Sequence, residues 1–286
     1  MANLRFAVSM QRLIPFLGFH HILMLFQTTV IILLSIILAG CSSYSEPALT
    51  LYYQNQTMTN IYLFGLSYVN TTSTELSTPR KTHFDLLNNL KGSSRLEVRA
   101  GYFGICVRQQ GVLWLCSSDT DALSQQIGSQ NDPLDLIGAA SDFKDGVIFS
   151  GLIFGNEPWY KMAIVLAFFS TLLLATFPGW HEERDERTGS DVDVRPFPSR
   201  PVSQVALSAA FVAAVLLLTA CLWQHVGAVG AAAMAEIANV GNVGTSIGTS
   251  ATVMAWIAVV LQFITVIGLL VMILSIIVLD RLTDND

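Results

Sequence analysis

Residues Thr252 to Leu279 read TVMAWIAVVLQFITVIGLLVMILSIIVL, without one acidic or basic side chain. A bilayer core of about 30 Å takes roughly 20 apolar residues as a helix, so this run crosses it and must tilt to fit. Three further runs repeat the pattern. Ile22–Ala39 is centred on Ile31-Ile32-Leu33-Leu34 and Ile36-Ile37-Leu38. Residues 162–178 have Trp159 and Tyr160 as an aromatic lead-in and end at Pro178-Gly179. Val205–Trp223 follows Pro196, Pro198 and Pro201. The second run is short without its aromatic lead-in. The 286-residue chain is 52% hydrophobic and only 13% charged, where a soluble domain carries about 25% charged residues. The charges collect between the apolar runs. That distribution is polytopic. A net charge of −6 with short, separated basic clusters gives no surface for nucleic acid.

Short loops orient a membrane protein through their Lys and Arg. Arg5 and Arg12 lie in the head. Arg184, Arg187, Arg195 and Arg200 lie between the second and third runs, and Arg281 lies in the tail; Gln224–Ala251 has none. The expected order is a cytoplasmic head at 1–21, first span 22–39, large extracellular loop 40–161 and second span 162–178. A cytoplasmic loop at 179–204, third span 205–223, second extracellular loop 224–251, fourth span 252–279 and cytoplasmic tail 280–286 complete it. The sequons Asn55-Gln56-Thr57 and Asn70-Thr71-Thr72 both fall in the large loop. They agree with this topology and point to a eukaryotic secretory route, with Asn55 and Asn70 as glycan acceptors. Ala39-Gly40-Cys41 has the form of a signal-peptidase site, and Leu38 to Cys41 that of a lipoprotein box. A long mixed segment before the first run and three spans after it favour a retained helix. Cleavage, or lipidation of Cys41, is the alternative.

The large loop reads as two halves. Leu49 to Val107 is rich in Thr, Tyr, Leu and Val, with strands expected at Leu49–Tyr53, Ile61–Phe64 and Leu96–Arg99. Gly101–Val107 and Val112–Cys116 read as a hairpin turning at Arg108–Gly111. Cys106 and Cys116 are the only cysteines well inside the loop, and an oxidising compartment favours their pairing across the turn. Two free thiols are the competing reading. From Ser117 to Glu157 the loop is acidic, and Asp132-Pro133 announces a short helix with Leu134, Ile137, Phe143, Val147 and Ile148 on one face. Asp119, Asp121, Asp142 and Asp145 are the candidate calcium ligands, although their spacing matches no EF-hand loop; a solvated acidic surface is the plainer reading. Together these features predict an all-α, four-helix membrane bundle carrying a small disulfide-stapled extracellular β-sheet.

No nucleophile elbow, phosphate loop, zinc helix or kinase motif occurs, so no catalytic residue and no small-molecule substrate are expected. No span contains Asp, Glu, Lys or Arg, which argues against a proton-coupled transporter. Gln27, Gln204 and Gln262 are read as interhelical hydrogen-bonding groups. Ala206, Ser208, Ala209, Ala210, Ala213 and Ala214 suit close helix packing. His20, His21 and His181 are read as interfacial residues. The Gly/Ser/Thr run Gly241–Ser250 is read as a flexible turn or small-residue surface, and the charge run from His181 to Arg187 as a solvated linker.

The arrangement resembles the claudin-like tetraspan superfamily, whose first outer loop carries a Gly-Leu-Trp…Cys…Cys signature. Gly104 and the pair Cys106 and Cys116 fit it, but Trp114 lies between the cysteines instead of before them. Gly101-Tyr102-Phe103-Gly104-Ile105-Cys106, Trp114-Leu115-Cys116 and Gly40-Cys41-Ser42-Ser43 resemble more closely the fungal calcium regulator and membrane fusion family, over about residues 25 to 280. That resemblance implies a plasma-membrane protein acting in calcium influx and cell fusion during mating or polarised growth. It makes calcium a transported or regulating ion and implies no other cofactor. Its partners would be membrane lipids, a second copy of the chain or a calcium channel. Fungal tetraspans that organise cortical membrane domains share the Gly-x-x-Cys element, so a structural or adhesive role is the alternative.

Overall fold

The computed structural model describes residues 19–42, 59–69, 78–109, 114–148, 159–177, 181–184, 191–194 and 200–283. The expected strand Leu49–Tyr53, both sequons, Arg5, Arg12, Arg187 and Arg195 lie outside them. Long apolar runs become long helices. These are α1 (Phe19–Ala39), α5 (Trp159–Ala175), α6 (Arg200–Ala238) and α7 (Thr249–Thr283). Three are long and apolar enough to cross a membrane, over Phe19–Ala39, Pro201–Ala238 and Thr249–Ser275; the shorter apolar helix Lys161–Ala175 corresponds to the second run of the sequence. A 17-residue α5 rises about 25 Å, just under a bilayer core.

The chain divides into two compact units. In the helical unit, Leu23 of α1, Leu174 of α5, Ala206 and Ala210 of α6 and Leu269 of α7 meet in one buried cluster with Phe177. The helices are inside-out relative to a soluble protein. Ala206, Ala209, Ala210, Ala213 and Ala214 are buried, while Phe211, Val212, Val215, Ile264, Ile267 and Leu270 face outward. Lipid solvates large apolar groups, so small residues go where backbones approach. Gly268 shows this: a Cβ there would press into Leu23 Cδ2 at 2.6 Å. Ser208 departs from the expected packing set and is exposed.

Gln27 and Gln262 sit at 0% and 1% exposure. Gln27 Nε2 donates to Ala167 O at 3.3 Å, and Gln262 Nε2 donates to Ala210 O at 3.0 Å. Ser170 Oγ donates to Ala206 O at 3.3 Å. These bonds tie α1 to α5, α7 to α6 and α5 to α6. The carboxamide oxygens of Gln27 and Gln262 are left without a partner among the described residues. Gln204 is exposed. Residues His181–Arg184 (β5) and Asp191–Val194 (β6) pair antiparallel, His181 opposite Val194, so the described part of the charge run is a strand; Asp185–Arg187 lie outside the described residues.

The sheet unit holds a five-stranded antiparallel sheet. Its strands are β1 (Phe64–Tyr68), β2 (Leu96–Ala100), β3 (Ile105–Gln109), β4 (Leu115–Ser117) and β7 (Val243–Ile247), in the order β4-β3-β2-β1-β7. Leu96, Val98 and Ala100 alternate into the core, as a half-buried strand requires. Four expectations are corrected here. The strand expected at Ile61–Phe64 begins instead at Phe64, with Leu63 already donating through its N–H to Ala100 O at 2.8 Å. Thr78–Lys91, inside the half read as strands, is a helix (α2) that turns Phe84 inward. The acidic half folds into two helices, α3 (Thr120–Ile127) and α4 (Leu136–Phe143), followed by a π-helical turn at Lys144–Ile148.

The fourth correction concerns the supposed second loop. Most of its first half is helix, since the Ala-rich GAVGAAAMAEIA carries α6 on to Ala238. The Gly/Ser/Thr run then supplies β7, which pairs with β1 from Phe64 opposite Ile247 to Tyr68 opposite Val243. Gly248 lies where a Cβ would overlap Tyr62 O, so glycine here marks a close approach of backbones. Asn242, fully buried, donates through Nδ2 to Phe84 O at 3.2 Å and so fixes the entry to β7 on α2.

Candidate functional site

The family-like residues converge within the sheet unit. Helix α1 ends in a turn, with Ser42 N and Oγ both bonded to Ala39 O, at 3.3 and 2.7 Å. Cys41 there takes a left-handed φ of 54°. The β2–β3 connection Gly101–Gly104 closes through Gly101 N donating to Gly104 O at 2.9 Å. The two turns lie backbone against backbone. A Cβ at Gly101 would overlap Gly40 O and reach Cys41 Cβ at 2.7 Å, and one at Gly104 would overlap Cys41 O. A Cβ at Gly40 would overlap Ile61 O. Absent side chains are therefore what allow this approach. Tyr102 is buried between the glycines, and its hydroxyl pairs with Gln224 Oε1 at 3.3 Å; Phe103 is exposed.

Cys106 and Cys116 form the disulfide, across directly paired positions of β3 and β4. Cys41, Cys106 and Trp114 share a buried cluster, with Tyr62 and Cys116 packed against it. The Cys41 thiol is directed at Ile61 O, 3.7 Å away. Burial pushes it up to about 12, and the Arg99 charge opposes that rise.

Arg99 organises the cluster's polar side. Its guanidinium lies 4.3 Å from the Trp114 ring centre and 4.7 Å from that of Tyr62, a distance at which the ring faces attract a cation. It donates to Thr59 O at 2.9 Å and Asn60 Oδ1 at 3.0 Å, and pairs with Glu97 at 2.9 Å. Glu97 also pairs with Arg108, which lies 4.9 Å from the Trp114 ring centre. Trp114 is thus a shared platform for two cations. No motif in the sequence singles out Arg99. The only trace is its same-face spacing from Glu97 on β2.

The acids are spread apart. Asp119 caps α3 by accepting from Ala122 N at 3.1 Å, Asp145 accepts from Ser141 Oγ at 3.4 Å, and Asp121 and Asp142 are exposed. Asp132 accepts from Leu136 N and Ile137 N, both at 2.9 Å, and from the Tyr68 hydroxyl at 2.8 Å. This carboxylate compensates the open N–H groups and positive end of α4. Among the described residues, no three His, Cys, Asp or Glu side chains stand together as metal ligands.

The model of the family described as Ca2+ regulator and membrane fusion protein Fig1 matches residues 84–275. The chain belongs to this family. The match runs from α2 through the disulfide hairpin and most of α7, so it contains the Gly101–Gly104 turn, the disulfide and β7. Gly40 and Cys41 lie ahead of it, although the structure seats them on that turn. No curated protein matches the chain.

Proposed function

We propose that this Fig1-family chain is a plasma-membrane protein of four spans with a claudin-like arrangement of helices. Its two termini are cytoplasmic, its sheet unit is outside, and it regulates calcium influx and membrane fusion during fungal mating or polarised growth. The observation that carries the reading is the family match over residues 84–275, which takes in the disulfide hairpin, β2, β7, α5, α6 and most of α7. Residues of α1, α5, α6 and α7 in one buried cluster support a fourth span at α5. The arginine-free segment between α6 and α7 supports an outer position for β7, with Asn55 and Asn70 glycosylated on the same side. The chain is not an enzyme in this reading.

The helical unit offers carboxamides and hydroxyls, and the apolar runs at residues 22–39, 162–178, 205–223 and 252–279 carry no acidic or basic side chain. A calcium ion stripped of water needs carboxylates to offset its desolvation. That favours a regulator acting on a partner channel, alone or as a homo-oligomer, over a self-contained pore. The test is calcium uptake in pheromone-treated cells lacking the protein, followed by flux into liposomes holding the purified chain. Lost uptake with silent liposomes supports the regulator, and flux in liposomes makes the chain itself the conductor. Unchanged uptake overturns the calcium reading and leaves the structural or adhesive one.

A further inference from the structure

Cys41 is one of three sulfurs in a single buried cluster. Its side chain packs with Cys106 and Trp114, and Cys116 lies against the same group. Cys41 is 1% exposed and Cys106 0%, while Cys116 is half-buried. A solvent-excluded thiol and an existing disulfide therefore belong to one cluster.

We propose that Cys41 is an internal exchange partner of the disulfide: its thiolate displaces Cys116 from Cys106, moving the staple from the β3–β4 hairpin to a bond between the turn after α1 and β3. The step balances without an outside oxidant. Cys41 loses its proton to water, and its sulfur lone pair attacks Cys106 Sγ. The Cys41–Cys106 bond forms as the Cys106–Cys116 bond breaks, and the electron pair leaves with Cys116, which takes up a proton. One thiol and one disulfide stand on each side.

Three features suit the exchange. The leaving cysteine belongs to β4, a strand of three residues at the edge of the sheet, so its release disturbs little pairing. The incoming cysteine sits in a turn already seated on Gly101 and Gly104, so the new bond needs no distant segment to arrive. The charged and titratable groups facing the cluster are Arg99 and Glu97 from β2, Arg108 from β3 and the Tyr62 phenol before β1. The guanidinium nearest the thiol favours its thiolate. Burial keeps the thiol protonated at neutral pH and so slows its attack, and the structure holds the hairpin bond. Loosening of the Cys41 turn or raised pH starts the exchange.

The proposal stands apart from the calcium reading and is read by sulfur connectivity alone. Full-length protein in lipid nanodiscs is held at pH 7, 8 or 9, quenched with N-ethylmaleimide, digested without reductant and mapped by mass spectrometry. At pH 7 the bridge joins Cys106 to Cys116. With rising pH the Cys41–Cys106 peptide and label on Cys116 should appear together, about tenfold faster per pH unit, as the thiolate fraction rises below a pKa of about 12. A Cys116→Ser variant treated with oxidised glutathione should close the Cys41–Cys106 bond. Label that never reaches Cys116 in the wild type overturns the proposal. So does a C116S protein whose Cys106 carries only glutathione while Cys41 stays free. The wild-type arm needs no substitution and decides the matter if C116S fails to fold.

Discussion

Replacing Gly104 with alanine tests the contact between the two turns. The added Cβ would overlap Cys41 O and sit 3.0 Å from Ser117 O, with the Cys41 carbonyl carbon at 3.3 Å. All three atoms are backbone, so no rotamer change relieves the overlap, and the turn after α1 must lift from the β2–β3 turn. Overpacking of a well-packed site costs about 1–3 kcal/mol, and rigid neighbours on two sides place G104A near the upper end. At about 2–4 °C per kcal/mol for a chain of this size class, Tm should fall by roughly 4–12 °C. The assay is size-exclusion chromatography of the detergent-solubilised, fluorescently tagged protein after a temperature series. Gly146→Ala is the control, since a Cβ there meets nothing within 4 Å. If G104A melts within about 1–2 °C of wild type, the shift of a neutral surface change, the close seating of the turns is refuted.

Cys106→Ser should cost about 2–3 kcal/mol, the worth of a bridge across so short a loop, and hold the protein in the secretory pathway. Normal surface level, scored by labelling of intact cells, would contradict this. The Tyr68 phenol is held above its usual range of about 10 by burial, and the neighbouring Asp132 adds to the rise while the Leu134 N–H opposes it. A group with a raised folded pKa contributes stability below its unfolded pKa and loses it as pH climbs toward the folded one. Stability should therefore fall from about pH 10 upward, with a shallower fall in Tyr68→Phe, measured as melting temperature at pH 8 and 10.5. At pH 8 the same variant should be weaker by about 1–3 kcal/mol for the lost hydroxyl bonds. Glycosidase treatment should sharpen or shift the wild-type band on a gel and leave an Asn55→Gln/Asn70→Gln double variant unmoved; a wild-type band that ignores the enzyme would place the loop on the other side of the membrane.

The apolar helices were legible because a bilayer imposes length and exclusion of charge, and both can be counted along a chain. The disulfide was legible for a similar reason, since Cys106 and Cys116 are close in sequence; the bounds of the hairpin were not, because Arg108 and Gln109 continue β3 and Gly101–Gly104 is the turn between β2 and β3. Long-range partners were not. Nothing local says that Val243–Ile247 pairs with β1: Gly244 weakens the run's β-propensity, and the partner that sets the strand lies far away in sequence. Helix α2 was hidden by its polar composition, which leaves Phe84 as its deepest apolar anchor. Gly40 and Gly101 each look like ordinary turn residues in sequence; only their juxtaposition shows why neither tolerates a side chain. The acids of the second half read as a surface, and Asp119, Asp121, Asp135, Asp142 and Asp145 are exposed. The sequence did not show that Asp119, Asp132 and Asp135 also cap helix ends, with Asp135 accepting from Gly138 N at 3.1 Å.

The sheet that carries these residues is assembled from opposite ends of the translated message. Tyr62 and Ser246, bonded through their hydroxyls, are separated by 184 positions in sequence. At a synthesis rate of about 5–20 residues per second, the β1 edge emerges roughly 10–40 s before the strand that covers it. During that interval four strands can pair while the fifth place stays open, an adhesive template for other chains. Biogenesis of this protein therefore leaves an interval in which the sheet can stand unfinished. A chain truncated before β7 would remain at that stage and should be held by the quality-control machinery, even with the disulfide hairpin already closed.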